Sequence, residues 1–135
     1  MKKRRVFYVL CLVCFFLCAC GNMKANEERI RSLDFTVLDE SAIPDKVKTE
    51  IEVRKKEPFQ YIYSDRDSLY ICVGYGEQET KGYSIAVDDL YLTNAAIYAE
   101  TTLLGPGTKY KESKEVSYPY IVIKTAYLEQ TIIVK

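Results

Sequence analysis

Beyond Pro58 the apolar residues recur at every second position, and that period of two restricts the chain to sheet structure over most of its length. Phe59, Tyr61 and Tyr63 alternate with Gln60, Ile62 and Ser64; a polar turn over Ser64 to Asp67 leads to Leu69, Ile71 and Val73, so the segment reads as a hairpin. After the loop Gly74 to Gly82, Tyr83, Ile85 and Val87 keep one face apolar, but Leu90 and Leu92 fall on the opposite parity. A one-residue slip would turn every later side chain outward, so a bulge or tight bend is expected at Asp88-Asp89. Ala95 to Leu104 is a further strand, hairpinned to its predecessor around Thr93-Asn94 and stopped by Gly105-Pro106-Gly107. A charged loop, Thr108 to Ser117, precedes a strand over Tyr118 to Tyr127, and Thr131 to Val134 follows the Leu128-Glu129-Gln130 turn as a last short strand.

Asp34 to Leu38 alternates in the same way and supplies a first strand. Between it and Pro58 the period lengthens: Ile43, Val47 and Ile51 recur every four residues and form one apolar stripe. Ser41 or a neighbour can cap this helix, Pro44 fits its first turn, Glu50 with Arg54 and Glu52 with Lys56 stand at i,i+4, and Pro58 ends it. About seven strands with short connections imply mostly antiparallel pairing. The expected fold is therefore mainly β (α+β): an antiparallel sandwich or small barrel with one amphipathic helix near the start of the domain.

The amino-terminal residues follow different rules. Lys2 to Arg5 are basic, and Val6 to Ala19 form an apolar run of 14 residues, shorter than the roughly 20 a membrane-crossing helix needs. Basic start, apolar centre and polar sequel are the layout of an export signal. Leu17-Cys18-Ala19-Cys20 resembles a bacterial lipobox, with the small Ala19 before the cysteine to be lipidated. Leu10, Val13 and Leu17 are too bulky to serve before Cys11, Cys14 or Cys18, so Cys20 is the expected lipidation site; an ordinary secretory signal is the alternative. Residues 1–19 are then the signal, 20–33 a polar tether reaching at most about 40 Å from the membrane, and 34–135 the domain.

Removing residues 1–19 takes away four basic and no acidic residues, leaving 15 basic against 19 acidic and a net charge of −4. That is no footprint for nucleic-acid phosphates, and nucleic acid is not an expected partner. The chain contains no His, which removes His-based acid/base catalysis, Ser-His-Asp and Cys-His pairs and imidazole zinc sites. Cys72 would be left without a disulfide partner and reads as a buried small hydrophobe inside the run Leu69 to Val73. Asp88-Asp89 and Glu77 with Glu79 are read as solvated turn residues rather than an acid/base pair, since neighbours on a strand point to opposite faces. No metal or cofactor is expected. Twelve Tyr in a chain without Trp suit sheets and contact surfaces, so a binding module is favoured over an enzyme.

Three loops stand apart: Glu77 to Tyr83 with the run ETKGY, Leu104 to Tyr110 with GPGTKY, and Ser117 to Tyr120 with YPY. With YICVGYG at Tyr70 to Gly76, GYSI at Gly82 to Ile85, Gly105-Pro106-Gly107, and Tyr118-Pro119-Tyr120 leading into Ile121 to Ile123, the chain resembles the carboxy-terminal domain of the PrcB family over about residues 34 to 135. That family is named after a lipoprotein subunit of a bacterial cell-surface protease complex. The resemblance implies a diacylglyceryl (palmitate-type) anchor on Cys20 and a non-catalytic accessory or stabilising subunit of an extracellular protease, on the extracytoplasmic face of the membrane.

Thr80-Lys81-Gly82-Tyr83 and Tyr118-Pro119-Tyr120 are also similar to two of the loops of chagasin-type cysteine-protease inhibitors, though Tyr replaces their Trp and the preceding Arg is missing. The expected protein-binding residues are Thr80, Lys81, Gly82, Tyr83, Gly105, Pro106, Gly107, Tyr118, Pro119 and Tyr120. Three alternatives stand beside this: a chagasin-like inhibitor of papain-like cysteine proteases, glycines and tyrosines that merely shape turns and cover a sheet, or a surface for a small molecule or envelope glycan.

Overall fold

The computed structural model describes residues 27–135, so the export signal and Cys20 lie outside the described residues. Among the described residues, eight strands form two four-stranded sheets, with one α-helix. The strands are β1 (Arg29–Ser32), β2 (Phe35–Val37), β3 (Pro58–Ser64), β4 (Ser68–Tyr75), β5 (Ser84–Thr93), β6 (Ala96–Leu104), β7 (Tyr120–Ala126) and β8 (Thr131–Val134), and α1 spans Asp45–Arg54. One sheet has the order β1-β5-β6-β8 and the other β2-β7-β4-β3. They stack as a sandwich, not a closed barrel, and α1 covers the outer face of the second sheet.

The run Leu69 to Val73 explains this three-layer arrangement. β4 is an interior strand with a layer on each side, so successive side chains enter different cores. Leu69, Ile71 and Val73 join Ile123 and meet Leu90, Ile97 and Ala99 of the facing sheet. Tyr70 and Cys72 join Val122 and meet Ile43, Val47 and Ile51 from the helix side. A strand covered on both faces has no polar side to show, hence its unbroken apolar composition.

α1 is held by that stripe, Val47 at 0% and Ile51 at 1% exposure. Pro44 is its N-cap rather than part of its first turn, and Ser41 lies in a preceding 3-10 turn, Glu40–Ala42, so no side chain caps the helix. Glu50 pairs with Arg54 at 2.9 Å as the spacing predicts, but Glu52 meets Lys55 at 2.7 Å rather than Lys56. The bulge falls where the parity slips, between Val87 and Asp89, and returns Leu90 to the core at 1% exposure. Asp88 and Asp89 therefore belong to β5 rather than to a turn.

One expectation is corrected. The tether does not run to Leu33: β1 pairs with β5, and Leu33 is buried in the core at 6% exposure. Its polar residues face solvent usefully, because Arg29 pairs with Asp89 at 2.6 Å and its guanidinium sits 4.4 Å from the ring centroid of Tyr91, on the outer face of the sheet. The described residues hold eight strands where about seven were expected. The last of them, β8, crosses from β7 to the other sheet and pairs in parallel with β6, the one parallel pair among the described strands.

Candidate functional site

The connections β4–β5 and β6–β7 both emerge at one end of the sandwich, because β5 begins where β6 ends: Ser84 pairs with Leu104. This brings the three singled-out loops together. Gln78 and Ser117 form an isolated antiparallel bridge, with N–H to C=O distances of 2.8 and 3.1 Å in the two directions. The Ser117 hydroxyl donates to the Thr80 carbonyl at 2.7 Å, and Lys81 pairs with Glu115 at 2.6 Å. Gly82 adopts φ +88°, and a Cβ there would stand 2.2 Å from Tyr110 Cδ2, so the tyrosine ring occupies the space that the missing side chain leaves. Tyr110 closes a 3-10 turn, Thr108–Tyr110, that follows directly from Gly107.

The third loop is fastened from the other side. Tyr118 donates its hydroxyl to Glu77 at 3.0 Å, and this bond, ahead of partial desolvation, raises its pKa. Lys55, at the end of α1, lies 5.6 Å from the Tyr118 ring centroid. The Pro119 carbonyl accepts from the Tyr75 amide at 3.1 Å.

The ten predicted residues separate accordingly. Thr80, Lys81, Gly82, Tyr83 and Tyr118 lie in the clasped region, Lys81 and Gly82 exposed and the other three half-buried. Gly105, Pro106 and Gly107 lead into it from β6, with open space around Gly105 and Gly107. Pro119 serves through its backbone, and Tyr120 turns away: it is half-buried against the helix-side core, where desolvation raises its pKa.

Several residues at this end were not among those ten. Tyr110, Glu77, Glu115 and Ser117 do the fastening, and the exposed apolar Leu104 and Val116, at 47% and 45%, stand at the margin. Tyr110 ends the GPGTKY run, but nothing along the chain links it to Gly82; that contact exists only through the fold.

Chemically this end offers hydroxyls, an ion pair, aromatic edges and apolar margins. Among the described residues, no three His, Cys, Asp or Glu side chains are grouped to hold a metal ion, and no helix is long and apolar enough to cross a membrane. Cys72 is fully buried, and burial pushes its thiol up to about 12, so it stays protonated.

Residues 69–126 match the family described as PrcB C-terminal. No curated protein and no solved structure matches the chain. The matched span runs from the second residue of β4 to the end of β7 and so contains all three loops, while α1, β3 and β8 lie outside it.

Proposed function

We propose, from the match of residues 69–126 to the PrcB C-terminal domain, that the chain is a membrane-anchored, extracytoplasmic, non-catalytic subunit that binds a protease through the loop-bearing end of its sandwich. The observation that carries this reading is the clasp: loops distant in sequence are tied to one another by Gln78–Ser117, Lys81–Glu115 and Gly82–Tyr110, while apolar side chains are left exposed beside them. Loops already ordered in the free protein lose little conformational entropy on binding, and Tyr and apolar side chains supply the contact area. Lipidation at Cys20 would tether the domain through the end opposite the loops, where β1 starts beside Thr93 and Asn94, and two acyl chains make such attachment durable where one does not.

The test is recovery of a partner from solubilised membranes by the tagged full-length chain. The expected result is a co-purifying protease whose yield collapses when Leu104→Asp and Val116→Asp are combined, since both sites are exposed and their replacement leaves the cores intact. Recovery of no protease, or equal recovery with the double variant, contradicts the reading.

A further inference from the structure

Each sheet has two edges, and three of the four are short: β1 has four residues, β2 three and β8 four. β1 is also bulged and carries Arg29 and Arg31. β3 is different. It is seven residues long, pairs with β4 without interruption from Pro58 to Ser64, and contains no charged side chain. Long, flat, uncharged edges invite pairing with another strand, because alternate residues turn unmet N–H and C=O groups outward.

One flank of that edge is partly open, and the other is overlooked by charged side chains of α1. On the side facing the other sheet, Ile62 is 38% exposed, and cavities of 470 and 480 Å³ open between β3 and β8. On the helix side, Lys46, Glu50 and Arg54 form one i,i+4 row; Lys46 and Arg54 lie 5.6 and 5.3 Å from the ring centroids of Tyr63 and Tyr61 on β3. Val53 follows that row on the side turned from the core and is 78% exposed.

We propose that β3 is the interface of a symmetric dimer, pairing antiparallel with β3 of a second copy about a two-fold axis at Tyr61. Phe59, Tyr61 and Tyr63 are spaced symmetrically about that axis, which sets Phe59 opposite Tyr63, Gln60 opposite Ile62 and Tyr61 opposite itself. Because paired residues share parity, the aromatic row of one copy continues in the next on the helix side, and no like charges face each other within the strands. Glu50 and Arg54 carry opposite charges on the overlooking flank, so an isologous contact lets each meet the other's counterpart. Two four-stranded sheets become one of eight strands, with their loop-bearing ends free.

The test uses the full-length chain in detergent, made in two separately tagged forms carrying Gln60→Cys and Ile62→Cys, both at exposed positions. Mixed under a mild oxidant, they are expected to give a disulfide-linked heterodimer about tenfold more abundantly than either form gives alone, since opposed strand residues meet the Cα spacing a disulfide needs. Light scattering is expected to give a dimer mass for the unmodified chain and a monomer mass for Ile62→Lys. A monomer mass for the unmodified chain, or crosslinking as strong in the single forms as in the mixture, overturns the proposal.

Discussion

The ring of Tyr110 packs against the α-carbon of Gly82, in the space a Cβ would fill at 2.2 Å from Tyr110 Cδ2. Gly82 also holds φ +88°, a conformation that side-chain-bearing residues adopt only with strain. Gly82→Ala is therefore expected to cost about 1–3 kcal/mol and to loosen the clasp. Gly105→Ala, with nothing within 4 Å of the new methyl, is expected to stay within about 0.5 kcal/mol of the parent. Urea unfolding of both variants checks the pair.

Cys72 lies at 0% exposure between α1 and the sheet, with its thiol held up to about 12 by burial. It should react with an aromatic disulfide reagent only as the fold opens, at a rate that rises with urea. Cys72→Ser should destabilise by about 1–3 kcal/mol, because the hydroxyl enters the site without a partner.

Two carboxyls titrate below their usual range. Asp65 accepts amide N–H bonds from Asp67 at 3.0 Å and Ser68 at 2.7 Å across the β3–β4 turn, and those bonds are the main cause of its lowered pKa. The hydrogen bond from Arg29 lowers Asp89. With folded values below the unfolded value of about 3.9, each carboxylate contributes stability that is present above that pH and is lost as the pH falls through its folded pKa. Combining Asp65→Asn with Asp89→Asn should flatten the fall in stability below about pH 4, measured by urea unfolding across the acid range.

Period and composition carried the fold a long way and then stopped at definable points. The β3–β4 hairpin, the α1 stripe through Ile43, Val47 and Ile51, and the bulge beside Asp88 all rest on contacts between near neighbours, which leave periodic marks. β1 left none, since Arg29 and Arg31 look like tether until Tyr91 and Asp89 are beside them. The parallel pairing of β8 with β6 is likewise set by a crossing between sheets that no local pattern encodes. At the loop-bearing end, the unusual runs marked Gly82 and Tyr118, but their partners Tyr110 and Glu77 are chosen by three-dimensional packing. Tyr120 shared a motif with Tyr118, yet its strand parity turned it to the helix-side core.

The anchoring proposal stands on Cys20 alone. Replacing it, Cys20→Ala, is expected to abolish incorporation of labelled palmitate and to move the protein from the membrane fraction to the soluble one. Unchanged labelling and fractionation would remove the anchor from the account.

In the proposed function, another protein binds at the clasped loops. A photo-crosslinking residue placed at Tyr83 in the full-length chain, in intact cells, addresses it most directly, with the same residue placed at the exposed Thr49 of α1 for comparison. A discrete adduct containing a protease is expected from Tyr83 and none from Thr49. Adducts equal at both positions, or absent from both, would contradict it.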